Sequence, residues 1–532
     1  VNKLQKTLVA GAAIIAMGTT MVTPAMAADA GTASITITNT TSEHLYEAIP
    51  LGSYANAELN TDGTVKGLDV ESNSTVVNAA ETVLDSMGEG YKSTQYADNP
   101  IGYVAWKLRA DGDNWQGKLR TFVTELVKQS DVSSLIDAAT NAQVTATSDT
   151  TVINGLSDGY YLVIDASKDY PTNQDGGRTD SIPMLVGTTV NGANFADGSL
   201  GKIEEKSTEA VVSSKLVDST GADTTDNDHQ IGDKVYYDTT ITAPVLTGYD
   251  TSKYIFRPTI TLPTSLSFND ADLTVTVNGT KLDTTDRITH TKTSTAINLS
   301  SYVADGTITT GTVVDVKYSA ILLNTAKSST VTQPAPITAS AILVYTKDAL
   351  TGNAYASASS KVSVYTYQSS FTNVDFVDNS VLVAGSTFTI SRDGSALKVT
   401  KTADGVYVID PAGTDTLTTD ANGKFVVNGL DSAKYTFAQV KAGAGHVTVP
   451  NGTTADFTIT ATRDDNGAIS GLTSTGAAAA WFFKANTDLT GTFYNAPKIT
   501  SIPATGGIGL FVFLLAIIGA GFAWRKSRTT AE

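Results

Sequence analysis

The 532-residue chain contains no cysteine. That excludes disulfide scaffolds, thiolate zinc sites, iron–sulfur clusters and thiol nucleophiles together. Histidine is scarce as well. His44, His229, His290 and His446 stand far apart and form no locally spaced metal pair. No block of positive charge is present: Lys and Arg number 36 against 53 Asp and Glu, a net charge of −17. Nucleic acid is therefore not an expected partner, because its phosphates need a cationic surface. No glycine-rich phosphate loop appears, and no nucleophile elbow of the Gly-x-Ser-x-Gly type precedes a helix, so neither a nucleotide cofactor nor a serine nucleophile is expected. What is present is apolar content of 41% with 8% aromatics, enough for packed cores.

Long apolar runs are confined to the two ends. Residues 1–27 carry Lys3 and Lys6, an apolar stretch from Leu8 to Met17, and Ala25-Met26-Ala27. This is the order of a secretory signal with its small-x-small cleavage site. At the other end Ile502-Pro503-Ala504-Thr505-Gly506 precedes an apolar run over 508–524 and the basic Arg525-Lys526-Ser527-Arg528. The run is at the lower limit for a membrane span, and its basic flank would stay cytoplasmic. Trimming both ends removes five basic side chains and only Glu532 among the acids. The mature chain would thus be still more acidic, suiting a soluble, self-repelling coat.

Between the ends, Thr, Val, Ser and Ala dominate, broken at short intervals by Gly, Asn and Asp. Ala33 to Thr38, Leu273 to Val277 and Thr387 to Ile390 alternate with period two, the pattern of half-buried antiparallel strands. The expected fold class is mainly β, with tandem immunoglobulin-like β-sandwich domains. Residues about 74–140 differ. Ser74 to Leu84 and Trp115 to Val127 repeat apolar residues at three- and four-residue spacing, which predicts helices inserted into the first domain. Asp111-Gly112-Asp113-Asn114 and Asp226-Asn227-Asp228 cluster oxygens without the glutamate of a calcium loop. They are taken as solvated turns, and no metal is expected.

The pentapeptide, span and basic tail resemble the cell-wall sorting signal of Gram-positive surface proteins, with Ile502 where the commonest motif has Leu. Gly155 to Val163, followed by Ser181 to Val186, resembles the N-terminal domain of Gram-positive backbone pilins. Thr419 to Leu430 with Lys434 to Phe437 resembles the collagen-adhesin B-type immunoglobulin-like module. The resemblance implies a sortase-processed major fimbrial subunit. Its parts would be a signal over 1–27, an N-terminal pilin domain over 28–205, a middle immunoglobulin-like domain over 206–367, a C-terminal module over 368–500 and a sorting signal over 501–532. It implies a structural protein without a catalytic site, covalently polymerised and anchored to peptidoglycan at the cell surface. The implied partners are pilin-specific and housekeeping sortases, other copies of the chain, minor pilins and a host or matrix ligand. The alternative is a monomeric or accessory wall-anchored adhesin that uses the helical insert as its contact surface.

Polymerisation needs an acyl donor and an amine. The resemblance implies that a sortase cuts between Thr505 and Gly506 and passes the Thr505 carbonyl to a lysine. The family's lysine falls at Lys206, with Lys202 as second choice. Glu204 and Glu205 precede Lys206, and neighbouring carboxylates are expected to raise its pKa. Family modules also carry internal Lys–Asn isopeptide bonds promoted by a buried acid. In the third module the corresponding positions are Asn373 for the lysine, Gln439 for the acid and Asn495 for the terminal amide. No internal bond is expected there. In the middle domain Lys215 stands at the lysine position, while Ala339 occupies the amide position.

Overall fold

A computed structural model describes residues 31–108, 117–136, 141–166, 178–291, 293–350, 352, 355–478 and 481–500. The candidate signal, the oxygen cluster at 111–114, the pentapeptide 502–506 and the span 508–524 lie outside the described residues. Among the described residues no helix is long and apolar enough to cross a membrane. The chain forms two compact units. The first comprises residues 1–209, 244–255 and 345–357, and the second comprises 210–243, 256–344 and 358–532.

The first unit is built on a sheet of five strands. Val65–Ser72, Leu45–Leu59, Gly159–Asp165 and Met184–Gly187 lie side by side, and Ala142–Thr145 also pairs with Leu45–Leu59. Both faces of this sheet are covered. Tyr46, Ala48, Tyr161 and Val163 pack with Ile35, Ile37 and Ile153 of a three-stranded sheet. Ile49, Leu51, Leu162 and Ile164 point the other way, into a helical layer. Successive strand side chains alternate between faces. Burial on both sides therefore yields the unbroken apolar run from Tyr160 to Ile164 instead of an alternating one.

The helical layer contains α1 (Val77–Ser86), α2 (Pro100–Lys107) and α3 (Lys118–Leu126). The expected amphipathic segments are α1 and α3, which bury Val83, Leu84, Phe122, Val123 and Leu126. Helix α2 begins with Asn99 as N-cap, accepting from the Gly102 N–H, and with Pro100 at the first helical position. Both residues favour a helix start. A Cβ at Gly102 would lie 2.7 Å from the Val70 carbonyl oxygen, so glycine permits α2 to rest directly on the neighbouring strand.

The described residues of the second unit form four sheets. Two five-stranded sheets form the middle sandwich. One has the order Thr280–Lys281, Leu266–Val277, Val313–Leu322, Lys234–Thr242, Val211–Val217. The other runs Ile288–His290, Ser294–Ile297, Phe256–Thr261, Ile337–Thr346, Tyr355–Val364. Two six-stranded sheets form the third sandwich. Phe371, Phe425 and Phe493 from one face Phe388, Phe437 and Phe457 from the other, and all six are fully buried. Ring centroids lie 4.5 Å apart for Phe388–Phe493 and 4.7 Å for Phe371–Phe437. Such tilted pairs add about 0.5–1.5 kcal/mol each beyond area burial. The first strand of this sandwich, Tyr367–Asp375, runs parallel to its last, Thr490–Asn495, in register from Ser370↔Thr490 to Asp375↔Asn495.

Within the second unit the segment before strand Lys234–Thr242 docks on the third sandwich. Arg463 Nε donates to Asn227 Oδ1 at 2.7 Å, and its terminal nitrogen reaches both Asp228 and the Tyr367 hydroxyl. Arg392 bridges Asp233 and Asp431 at 3.2 and 2.7 Å. Asn227 is buried and Oδ1 of both Asn227 and Asp228 accepts from the Arg463 guanidinium, so these two residues form a docking contact instead of the expected solvated turn.

Candidate linkage sites

Lys206 and Lys202 lie at the end of the first unit's three-stranded sheet. Lys202–Glu204 is a short edge strand parallel to Ala33–Thr38, and Lys202 is exposed. The next residue turns inward. Glu205 is buried, and its carboxylate accepts from the Tyr46 hydroxyl at 2.6 Å, the Thr41 N–H at 2.6 Å and the Thr41 hydroxyl at 2.9 Å. Lys206 is half-buried, with its backbone held at both ends. Its N–H donates to Ser181 Oγ at 3.0 Å, and its carbonyl accepts from the Ile182 N–H at 3.1 Å.

This geometry reverses the expected electrostatics of Lys206. Its pKa is pushed below the ordinary lysine value, first by burial and then by the Arg120 guanidinium, against a smaller opposing pull from Glu204. Reading carboxylates along the chain fails because Glu205 spends its charge on Tyr46 and Thr41. Arg120, on α3, is itself buried and donates to the Pro183 carbonyl at 2.7 Å. Burial pushes its own pKa down to about 10.

Residues 180–183 connect this lysine to a cluster that local spacing did not reveal. His44 Nδ1 lies 2.6 Å from Asp165 Oδ2, which also accepts from the Ser181 N–H at 2.9 Å. Asp180 is buried 3.5 Å from the ammonium of Lys347. Burial and the nearby Asp165 push the Asp180 carboxyl up to about 8, with Lys347 opposing. One ligand atom from each of His44, Asp165 and Asp180 falls within 4.8 Å of the others. The Lys347 ammonium already supplies positive charge there. Such a cluster is invisible to motif spacing, since His44 and Asp165 are 121 positions apart.

In the third sandwich the structure brings Asn373, Gln439 and Asn495 together. Asn373 Nδ2 donates to Asn495 Oδ1 at 2.9 Å and to Ser386 Oγ at 2.6 Å. Gln439 and Asn495 exchange two bonds, at 2.8 and 2.9 Å. Asn373 and Asn495 are buried. The group holds three carboxamides. An amide nitrogen shares its lone pair with the carbonyl, and no member is a carboxylic acid, so the trio hydrogen-bonds but contains neither nucleophile nor proton donor for amide exchange.

Lys215 is half-exposed on strand Val211–Val217 and pairs with Asp223 at 2.7 Å. Its hydrogen bond to Asp223 raises its pKa, which favours the inert ammonium form. Ala339 is fully buried on strand Ile337–Thr346 and offers no side-chain amide.

The described residues form tandem β-sandwiches preceded by a sheet with a helical insertion. Residues 369–470 match the family described as SpaA, a prealbumin-like fold domain. The chain is similar in structure to the T6 backbone pilin of serotype M6 Streptococcus pyogenes, whose structure is described as modular and three-domain. That match has a TM-score of 0.52 and 15% identity, covering 88% of this chain and 98% of that one. The full-length major pilin SpaD of Corynebacterium diphtheriae gives a TM-score of 0.47 at 15% identity, over 88% of this chain and 98% of that one. The major pilin SpaA of the same organism gives 0.45 at 12% identity, over 87% and 100%. No curated protein sequence matches the chain.

Proposed function

We propose that this chain is the repeating structural subunit of a covalently polymerised surface pilus and acts as a sortase substrate instead of an enzyme. We read it as three domains, over 28–205, 206–367 and 368–500, between a cleaved signal and a sorting signal. A sortase thiol displaces the Gly506 amine from the Thr505 carbonyl to form a thioester. The neutral amine of Lys206 in another copy then displaces the thiol, leaving an amide. Minor pilins, peptidoglycan and a host or matrix ligand complete the set of partners, with the polymer held at the cell surface.

The observation that carries this reading is the state of Lys206. Only a neutral amine attacks an acyl group, and each pKa unit lost multiplies the neutral fraction about tenfold. Burial and the Arg120 guanidinium both act in that direction on Lys206. Its backbone bonds to Ser181 and Ile182 fix the position from which it is presented. Lys202 is exposed on its edge strand and serves as the weaker candidate. The likeness to the T6 backbone pilin in fold supports the same reading.

The test is a denaturing immunoblot of wall extracts. A ladder of covalent species is expected, collapsing to monomer with Lys206→Ala and persisting with Lys202→Ala. A single monomer band from the unsubstituted chain would refute polymerisation, and a ladder unaffected by Lys206→Ala would refute the acceptor assignment.

A further inference from the structure

Residues 179–182 lie outside any strand or helix, yet each is at most 2% exposed. A buried irregular segment must place its backbone polar groups on specific partners. Here the four N–H groups go to four different residues. Thr179 donates to the Thr208 carbonyl at 2.7 Å, and Ile182 donates to the Lys206 carbonyl at 3.1 Å. Between them, Asp180 donates to the Lys347 carbonyl at 3.1 Å and Ser181 to Asp165 Oδ2 at 2.9 Å. The segment is a strap that bonds to the acceptor lysine on one side and to Lys347 on the other.

The acceptor segment returns the bonds. The Lys206 N–H donates to Ser181 Oγ and the Thr208 N–H to Thr179 Oγ1, both at 3.0 Å. Ser207 Oγ accepts from the Arg178 guanidinium at 3.0 Å. Lys206 and Thr208 thus place both of their N–H groups and both of their carbonyls on the strap, and a shift of the strap carries them with it. Arg120 from α3 and Glu204 from the preceding strand act directly on the Lys206 amine. The charged and titratable groups that meet the strap itself are Arg178, Asp165, Asp180 and Lys347, with His44 behind Asp165.

The far side of the strap is closed by residues that come later in the chain, all within the first unit. Lys347 is buried, its ammonium 3.5 Å from Asp180 Oδ1. Its carbonyl also accepts from the Tyr249 hydroxyl at 3.1 Å. Ile182 packs on Gly248, where a Cβ would lie 3.2 Å from Ile182 Cγ2. The Val245 N–H donates to Thr208 Oγ1 at 3.2 Å.

We propose that Lys347 is a positioning residue for the acceptor amine: with Tyr249 it holds the strap against Lys206–Thr208, so that Lys206 takes its seat only once the chain has folded through residue 347. A buried amine–carboxyl pair adds little net stability, because desolvation offsets attraction, but it tolerates no unpaired arrangement. It therefore selects one position of the strap. The inference rests on the reading of Lys206 as acceptor and adds to it a check on the accepting copy. A copy not yet folded at 245–249 and 347 carries a loose lysine, more hydrated and so more fully protonated.

The test uses the full chain. Acetic anhydride acylates neutral amines, and peptide mapping across pH gives the midpoint of modification at Lys206, with Lys202 as reference. Lys347→Met removes the ammonium and nearly keeps the side-chain length, whereas Tyr249→Phe removes one hydroxyl and no charge. Both should move the Lys206 midpoint to higher pH and leave that of Lys202 in place, with circular dichroism unchanged. In cells that assemble the polymer, the initial rate of ladder growth should fall by roughly tenfold to a hundredfold, the cost of misplacing a reactant by about 1 Å. A folded Lys347→Met chain with an unmoved midpoint and an unchanged ladder overturns the proposal. A midpoint moved by Lys347→Met but not by Tyr249→Phe assigns the effect to the field of the ammonium and overturns the strap. Where Lys347→Met does not fold, Tyr249→Phe alone decides, an unmoved midpoint overturning the proposal. A missing ladder from the unsubstituted chain overturns polymerisation, while the midpoints still decide whether Lys347 and Tyr249 seat the lysine.

Discussion

The carboxamide trio can be converted into a reactive site. Asn373→Lys together with Gln439→Glu places an amine and a carboxylic acid on either side of the Asn495 amide. The present side chains already sit at 2.9 and 2.8 Å from Asn495 Oδ1. The introduced amine, kept neutral by burial, attacks Asn495 Cγ. The introduced acid, kept protonated by burial, donates to the carbonyl oxygen and then relays the amine's proton to the departing ammonia. The new amide joins positions 122 apart. A chain-entropy estimate for a loop of that length is about 5 kcal/mol. Lysine is longer than asparagine, and crowding a packed site costs roughly 1–3 kcal/mol. The net gain is about 2–4 kcal/mol. For a domain of about 130 residues this raises the melting temperature by roughly 7–15 °C. Intact mass spectrometry reads the chemistry as the loss of one ammonia, and calorimetry reads the stability. Asn373→Lys alone should keep its ammonia and melt lower, because it buries an amine without a partner. A double variant with unchanged mass beyond the substitutions and a lowered melting point would refute the reasoning that these three positions hold reactive geometry.

Three further outcomes follow from the structure. Arg120→Met removes the cation that depresses the Lys206 pKa, so the pH–yield curve of sortase coupling should move to higher pH, and an unmoved curve would count against this role. Asp180 holds its proton up to about pH 8 in the folded chain, whereas an unfolded aspartate ionises near 4. The folded state binds the extra proton between those values, so this contribution is complete below the window and lost as pH rises through it. Asp180→Asn should flatten the decline in first-unit stability between about pH 5 and 8 measured by urea unfolding. Phe371→Ala opens the centre of the aromatic core, where Phe371 meets Phe425, Phe437 and Phe457, and should cost about 3–5 kcal/mol in denaturant titration of the third sandwich.

Local periodicity carried much of the fold. Ala33–Thr38 and Thr387–Arg392 are strands where alternation placed them, and Leu273 to Val277 is the end of the longer strand Leu266–Val277. Helices α1 and α3 fall within three residues of the predicted segments at each end. Helix α2 is too short for its period to stand out, and the readable signal was the Asn99-Pro100 start. The carboxamide trio was legible because its three positions could each be matched to a motif. The surroundings of Lys206 were not. Whether Glu205 faces Lys206 or Tyr46 depends on strand pairing, and Arg120 arrives from a helix far away in sequence. The same reason hid His44, Asp165 and Asp180, which tertiary packing alone brings together.

The parallel pairing of Tyr367–Asp375 with Thr490–Asn495 fixes how the third sandwich carries tension. Parallel neighbours place the entry of the chain at one pole and its exit at the opposite one. Pulling the two ends apart slides the strands along each other, so the ladder bonds between them bear the load together instead of opening one at a time like a zipper. A fibre of such modules gains toughness from strand order, with no crosslink inside the module required.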